Sequence, residues 1–342
     1  MYRILITREM RIDAARYLKQ LSMKDIKKSL ERMRDNLNPV TAIGNLNDYE
    51  NYLTDVINLY PVIQVMPPSF FPRFILHHPN LSKLNEFDLK KKFHSTRGSE
   101  KTFSEMIVSR MRYNNEAKKF ITPFLKKYGF MTCVYCNQSK IHYDSLDQTK
   151  KSGTLDHFYN KDRYPFLCTS FFNLLPCCSD CNGPNKKAER RIGFYPYREK
   201  DAIKGSPFEF IFNIRNMGEY CSANDVDIDF LEDSNMGDLV PYQSNTILES
   251  YNKIFQIREL YQDYKGKVSR AVKRKAWFGK KENNAVHQVS NKRLPMALAP
   301  EIMKLVLDVD SLNEEDIYKE ELMKLLLDLG KYLKTDDLRY LD

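Results

Sequence analysis

Two stretches of this sequence, CVYC at residues 133–136 and LLPCCSDCN at residues 174–182, decide the fold expected for the middle of the chain. Each contains a pair of cysteines separated by two residues, a spacing that places two thiolates on one turn. Two such turns close a tetrahedral site with Zn–S distances of about 2.3 Å and no open coordination position. We therefore predict a structural zinc that folds a segment lacking enough apolar mass of its own. Its predicted ligands are Cys133, Cys136, Cys178 and Cys181.

The other cysteines leave one alternative open. Cys177 can replace Cys178, although the two-residue spacing would then be broken. A thioredoxin-like redox pair is an alternative for a single C-x-x-C, and the presence of two pairs favours zinc. Cys168 and Cys221 stand apart, and we expect these two and Cys177 to be buried thiols.

Composition favours a polyanionic partner. The chain has 342 residues, of which 54 are Lys or Arg and 45 are Asp or Glu, so its formal charge is +9. Such a balance favours contact with nucleic acid. The opening residues MYRILITREM lack the apolar run of a signal peptide, and no apolar run reaches the roughly 18 residues of a membrane span. We expect a cytoplasmic protein with no membrane contact.

The regions on either side of the cysteine-rich segment have a helical pattern of apolar residues. Apolar residues recur at three- to four-residue spacing on both sides, which predicts an α+β fold that is mostly α-helical with a small zinc-stapled module at its centre. Gly129 is a natural helix stop, and the four prolines within residues 64–80 predict an extended connection there. The predicted regions are a helical N-terminal part (1–129), the zinc module (130–197) and a mostly helical C-terminal part (198–342).

Two charged runs lie in the C-terminal part. Residues 216–238 carry acids and no Lys or Arg, and Val226, Ile228 and Phe230 alternate among them. This pattern favours a solvated strand and loop, with a metal or mimic site as the alternative. Residues 265–281 contain eight Lys or Arg and no acid. This basic run is compatible with two interpretations, a helix face in contact with solvent and a helix face that contacts phosphate.

The segment between and after the cysteine pairs carries a recognisable order of motifs. Asp156-His157 follows the first pair, Asn173-Leu174-Leu175-Pro176 precedes the second, and Asn182 and Lys186 come after it. This order resembles the zinc-containing branch of the HNH endonucleases, whose core is a β-hairpin and a helix around one divalent cation. The resemblance covers only about residues 130–190 and implies a ββα-metal module with nuclease activity.

Phosphodiester hydrolysis explains the residue types. A neutral imidazole can take a proton from the attacking water near pH 7, so His157 is the expected general base. Mg²⁺ or Mn²⁺ prefers oxygen ligands, and Asp156 and the amide oxygen of Asn182 would supply two of them. Adjacent strand residues point to opposite faces, so Asp156 and His157 can serve one site only if a bend re-aims one of them. The resemblance implies that Asn173 braces the loop and orients His157.

Other residues near the second pair extend the candidate site. Lys186 and Lys161 are the candidates for phosphate contact, with Lys187 beside them. Gly183-Pro184 departs from the family pattern, because it stands where the family's helix normally starts. We expect a helix beginning at Pro184, in which case Asn182 would be free to act as a cap and Asn185 would be the alternative ligand. Taken singly, each of these residues has an ordinary structural role; their order within a zinc frame favours the HNH interpretation.

Two sequence segments of the module, LDHFYNKDRYPF and NLLPCCSDCN, also resemble the HNH subunits of Septu-type bacterial anti-phage systems. That resemblance implies an effector nuclease beside an ABC- or SMC-like ATPase, and we take DNA ahead of RNA as its candidate substrate. The chain has no G-x-x-x-x-G-K-[ST] sequence, so any ATP hydrolysis would come from another chain. The alternatives are a catalytically inactive zinc-dependent nucleic-acid-binding module and a nuclease that cleaves RNA or tRNA.

Overall fold

The computed structural model describes residues 2–95, 98–143, 153–183, 194, 196–200, 205–232, 247–279 and 299–338. These residues form a mixture of helix and strand, which confirms the α+β class. The α-helices are α1 (Arg8–Gln20), α2 (Met23–Arg34), α3 (Leu46–Val65), α4 (Phe71–His77), α5 (Asn80–Lys83), α6 (Glu86–Leu89), α7 (Phe103–Arg110), α8 (Lys118–Lys127), α9 (Ser179–Asn182), α10 (Ile247–Phe255), α11 (Ile257–Gln262), α12 (Lys265–Gly279), α13 (Ala299–Leu307) and α14 (Met323–Leu338).

The strands pair in twos. They are β1 (Ile4–Leu5), β2 (Lys92–His94), β3 (Glu100–Thr102), β4 (Thr154–His157), β5 (Leu174–Cys177), β6 (Tyr197–Arg198), β7 (Phe208–Ile214) and β8 (Val226–Glu232). The pairs β2–β3, β4–β5 and β7–β8 are antiparallel, whereas β1 and β6 are parallel. The β1–β6 pair joins the start of the chain to the end of the cysteine-rich segment.

The N-terminal helices carry their expected caps. The Thr7 hydroxyl accepts from the backbone N–H of Met10, 3.1 Å away, at the start of α1, and Thr102 forms a capping box with Glu105 at the start of α7. Helix α8 ends before Gly129, whose φ of +69° is the left-handed conformation that ends a helix. The predicted helix stop at Gly129 is confirmed.

The extended connection predicted for residues 64–80 is wrong for most of its length. Residues Pro68–Phe70 form a 3₁₀ turn, and α4 follows directly. Pro72 lies in the first turn of α4, where the missing N–H and fixed φ of proline are compatible with a helix. The prolines therefore divide the segment into short helices.

Within the acidic run, residues 226–232 form strand β8, which has one buried and one solvated face. Val226, Ile228 and Phe230 of β8 are buried, which confirms the alternation seen in the sequence. The two aspartates between them are half exposed and form ion pairs: Asp227 with Arg215 (2.8 Å) and Lys265 (3.0 Å), and Asp229 with Arg258 (2.8 Å).

The basic run falls mainly on α12, and several of its cations have protein partners. Lys265 pairs with Asp227 at 3.0 Å and Arg274 pairs with Asp308 at 3.3 Å, whereas Arg270 and Lys273 are exposed. Lys280 and Lys281 lie outside the described residues. Contact between this helix and phosphate therefore stays a prediction.

The hydrophobic core is continuous across the three predicted regions. Buried residues from α1 to α14 belong to one cluster that includes the cysteines of the central module. A buried ion pair between Lys324 and Asp328 fixes α14 against the β7–β8 pair, because Asp328 also accepts from the backbone N–H of Phe210 at 2.8 Å. Among the described residues, no helix has the length and apolar composition needed to cross a membrane.

Candidate functional site

The two cysteine pairs come together in space. The Sγ atoms of Cys133, Cys136, Cys178 and Cys181 lie within 4.8 Å of one another, and all four residues are buried. The Cys136–Cys178 Sγ separation is 4.0 Å, close to the roughly 3.8 Å edge of a tetrahedron with 2.3 Å Zn–S bonds. The predicted four-cysteine cluster is confirmed, and it can bind a metal ion such as zinc.

Cys177 is not a member of this cluster. It ends β5, where its thiol lies 3.4 Å from the hydroxyl oxygen of Thr154. Burial raises the pKa of Cys177 and that of Cys168 to about 12, so both thiols stay protonated at neutral pH. Cys221 is buried as well, which confirms the three singletons as buried thiols.

Each C-x-x-C turn has a local cause. In the first knuckle, residues Cys133–Asn137, the backbone N–H of Asn137 donates to the carbonyl oxygen of Cys133 at 2.8 Å, and Asn137 adopts a φ of +52°. In the second, the Cys178 side chain caps α9 by accepting from the backbone N–H of Cys181 at 3.4 Å. This short helix, α9, begins at Ser179 and ends at Asn182. The helix predicted from Pro184 lies outside the described residues.

Tyrosine hydroxyls from the C-terminal region hold the first knuckle in place. Tyr251 donates to the carbonyl oxygen of Tyr135 and Tyr261 donates to that of Cys136, each at 2.5 Å. The backbone N–H of Leu322 donates to the Asn137 carbonyl at 2.6 Å. Buried carbonyls without partners are costly, so these donors stabilise the turn that presents the thiols.

Between the knuckles, β4 and β5 form a hairpin with α9 following it. The register pairs Asp156 with Leu175 and His157 with Leu174. Side chains alternate along a strand, so Thr154 and Asp156 lie on one face of β4 and His157 on the other. The hydrogen-bond partners agree with this alternation, because the carboxylate and the imidazole bind different groups.

Asp156 is 6% exposed, and its carboxylate accepts a hydrogen bond from the hydroxyl of Tyr135 in the first knuckle. Asn182, the last residue of α9, donates from its side-chain amide to the Thr154 hydroxyl at 2.8 Å. Asp156 and Asn182 thus belong to the same side of the hairpin. The Asn182 amide already bonds Thr154, and Asn185 lies outside the described residues.

His157 is 9% exposed and its Nε2 lies 3.0 Å from the carbonyl oxygen of Cys168. A carbonyl can only accept, so Nε2 must carry the proton and the neutral ring keeps its lone pair on Nδ1. The ring of Tyr113 packs on the imidazole with a centroid distance of 4.6 Å. Burial, together with the nearby charge of Lys161, lowers the pKa of His157 to about 4.

Asn173 ties together the two ends of the loop between β4 and β5. Its side-chain oxygen accepts from the backbone N–H of Tyr159 at 2.7 Å, and its amide donates to the carbonyls of Tyr159 (3.1 Å) and Leu167 (3.0 Å). The side chain is buried. These bonds therefore fix the loop that carries Cys168, whose carbonyl is the partner of His157, at its start and before Cys168.

Lys161 lies on the same loop, beside the histidine. Its ammonium lies 5.8 Å from the centroid of the Tyr113 ring, which also packs on His157. The structure thus brings one of the two predicted phosphate contacts next to the predicted base. Lys186 and Lys187 lie outside the described residues.

The four cysteines are the one group of three or more His, Cys, Asp or Glu side chains, among the residues that the structure describes, whose ligand atoms are close enough to share an ion. Asp156 and His157 do not converge on a common partner. A hard cation bound at Asp156 would need its other ligands from amide oxygens, water or a phosphate.

Two residues of this site carried no signal in the sequence that we used. Tyr135 bonds Asp156 from within the first knuckle, and its place between two zinc ligands is the one feature that singles it out. Tyr113 packs on His157 from a five-residue π-helical turn, Tyr113–Ala117. Such turns occur frequently at functional sites, but nothing in the local sequence predicts one here.

The comparisons with known proteins add a partial similarity. Over 66 residues, the chain is 38% identical to the Septu protein PtuB of Bacillus thuringiensis, a stretch that is 19% of this chain and 23% of that protein. The match therefore spans about a quarter of the relative's length. No protein-family model matches the chain, and no solved structure matches it significantly.

Proposed function

We propose that this chain is a metal-dependent HNH-type endonuclease that hydrolyses nucleic-acid phosphodiester bonds, with DNA as the first candidate substrate. Three features support the proposal: the four-cysteine cluster, the β4–β5–α9 order of the central module, and the Asp156-His157 pair at the end of β4. The similarity to a Septu protein supports a role in anti-phage defence beside an ABC- or SMC-like ATPase.

The hydrogen bond from His157 Nε2 to the Cys168 carbonyl carries the proposal. It fixes the tautomer that leaves Nδ1 as a proton acceptor, which is the form a general base needs. The lowered pKa of about 4 keeps the imidazole neutral at physiological pH. Because Asp156 and His157 lie on opposite faces of β4, the substrate phosphate would have to reach both side chains at the end of the hairpin. Nδ1 would then take a proton from the water that attacks the phosphorus while the P–O bond to the leaving oxygen breaks.

Asp156 and Asn182 offer oxygen donors of the kind that Mg²⁺ or Mn²⁺ prefers. Asp156 offers a buried carboxylate, and the Asn182 amide is held on the same face of β4 by Thr154. When bound, such an ion would stabilise negative charge on the phosphate and on the leaving oxygen. Lys161 would add a positive charge on the side of His157, and Asn173 would hold the loop that orients the imidazole.

The function is tested by incubating the purified chain with supercoiled plasmid and with tRNA in Mg²⁺ or Mn²⁺. Replacing His157 by Ala should lower the cleavage rate about 10²- to 10⁴-fold, the usual contribution of a general base. His142 is exposed, so His142→Ala is a matched control that should cleave within about twofold of wild type. Faster cleavage of plasmid than of tRNA would support DNA as the substrate.

The partner is tested by repeating the assay with the chain co-expressed with its candidate ATPase. Activity that appears only in this complex would mark a dormant enzyme that assembly switches on. If wild type and His157→Ala cut neither substrate, even with the ATPase, the nuclease proposal is wrong. Retention of nucleic-acid binding in that case would favour a zinc-dependent binding module.

A further inference from the structure

The first knuckle has a second contact surface that its zinc-binding role does not use. Tyr135 stands between Cys133 and Cys136, and its hydroxyl reaches Asp156 on β4. Its ring is fully buried and stacks on Phe255 with a centroid distance of 4.7 Å and an interplanar angle of 17°. The hydroxyl at the end of this fixed ring donates to a carboxylate oxygen of Asp156.

The backbone of the same residue is fixed as well. The carbonyl oxygen of Tyr135 accepts from Tyr251 and that of Cys136 accepts from Tyr261, each at 2.5 Å. The backbone N–H of Val134 donates to the carbonyl oxygen of Pro176 on β5 at 3.2 Å. Tyr135 therefore has little freedom at either end, and Asp156 meets a donor whose position the knuckle defines.

We propose that Tyr135 is a positioning residue that holds the Asp156 carboxylate in the orientation needed to bind the catalytic cation. This inference rests on the proposed function. A hydrogen bond to one carboxylate oxygen restricts rotation of the whole group, so the geometry offered to an ion is set before the ion arrives. Groups that orient a metal ligand in this way typically change metal affinity or activity 10- to 100-fold when they are removed.

The consequence is a link between the two metal centres. The four thiolates fix the conformation of the first knuckle, and the knuckle fixes the position of the Tyr135 hydroxyl. The hydroxyl in turn orients the Asp156 carboxylate. Zinc would then contribute to cation binding without contacting the cation or the substrate. The path from the zinc ligands to Asp156 is short, because Tyr135 is next to Cys136 in sequence and its hydroxyl bonds Asp156 on β4.

The test is direct binding of Mn²⁺ to the zinc-loaded full chain. Binding is measured as the decrease of the free Mn²⁺ signal in electron paramagnetic resonance. Tyr135→Phe removes the hydroxyl and keeps the ring, and we expect its Mn²⁺ affinity to fall about 10- to 100-fold with about one zinc per chain retained. Tyr261→Phe is the matched control, because it removes another buried hydroxyl that bonds the same knuckle but does not touch Asp156. It should bind Mn²⁺ within about threefold of wild type.

A donor-bearing variant separates the hydrogen bond from packing. In Tyr135→4-aminophenylalanine the ring carries an N–H donor in place of O–H, so its Mn²⁺ affinity should lie between those of wild type and Tyr135→Phe. An affinity no higher than that of Tyr135→Phe overturns the proposal, because a donor at the same place would then fail to restore cation binding. Loss of zinc from Tyr135→Phe also overturns it, because the hydroxyl would then act through the fold of the knuckle.

The outcomes distinguish this inference from the nuclease proposal. If Asp156→Asn abolishes Mn²⁺ binding while Tyr135→Phe binds as wild type does, the cation site stands and the positioning role is wrong. Equal weakening in Tyr135→Phe and Tyr261→Phe also overturns it, because both variants would then act through the fold of the knuckle. If wild type itself binds no Mn²⁺, the cation site is wrong and the inference falls with it.

Discussion

Replacing Asn173 by Ala tests how the long loop of the central module is held. The loop runs from β4 to β5, and the Asn173 side chain makes three hydrogen bonds to its backbone, at 2.7, 3.0 and 3.1 Å. Because the residue is only 2% exposed, water cannot replace these bonds without opening the loop. The substitution removes three buried hydrogen bonds, one from the Tyr159 backbone N–H and one each to the carbonyls of Tyr159 and Leu167. The Leu167 carbonyl keeps its bond from the backbone N–H of Ser170 at 3.1 Å.

The expected magnitude follows from those three bonds. A buried hydrogen bond contributes about 1 kcal/mol net, so the free energy of unfolding should fall by about 3 kcal/mol. Asn160→Ala is the matched control on the same loop. Its side chain makes one exposed bond, accepting from the backbone N–H of Asp162 at 2.7 Å, and its loss should cost less than about 1 kcal/mol.

Urea unfolding at pH 7, followed by circular dichroism, measures both variants against wild type. Zinc content is determined on the same samples, so that a stability loss caused by metal release is recognised. If Asn173→Ala costs less than about 1 kcal/mol, or no more than Asn160→Ala, the side chain does not brace the loop. Its place in the HNH-like pattern would then need another explanation.

Two further predictions concern the imidazole and the thiolates. Burial lowers the pKa of His157 from 6.5 to about 4, so the native state binds fewer protons than the unfolded state between these pH values. One pKa unit corresponds to about 1.4 kcal/mol. Up to roughly 3 kcal/mol of the stability present above pH 6.5 should therefore be lost as the pH falls towards 4. The loss should be absent in His157→Gln, and parallel pH curves of unfolding free energy for the two proteins would contradict the buried, neutral imidazole. Cys178→Ser should reduce bound zinc from about one atom per chain to near none, whereas Cys177→Ser should retain it. Atomic emission spectrometry on both variants decides between these two cysteines, and zinc loss in Cys177→Ser alone would reverse the assignment.

Much of the framework could be predicted because its signals are local. The C-x-x-C spacing identifies the four ligands of the cluster, since this spacing places two thiols on one turn. Gly129 ends α8 because its φ of +69° is unfavourable for residues with a Cβ. The alternation of Val226, Ile228 and Phe230 with acids identifies β8, because strand residues point to opposite faces in turn.

Predictions that relied on a single local rule were less secure. The prolines of residues 64–80 suggested an extended segment, but proline is compatible with the first turn of a helix, and α4 places Pro72 there. The helix expected from Pro184 lies outside the described residues and stays a prediction. In residues 64–80 the sequence left two conformations open, and packing selected one.

The sequence by itself determined the residue types of the site: the thiols, the Asp-His pair, the asparagines and their order along the chain. Only the tertiary structure decided which groups surround them. Tyr113 reaches His157, and Tyr251 and Tyr261 reach the first knuckle, from elements that are distant in sequence. Contacts of this kind have no periodicity or spacing, because they arise when separate helices and strands pack on a common core and bring a hydroxyl or a ring to a buried group that needs a partner.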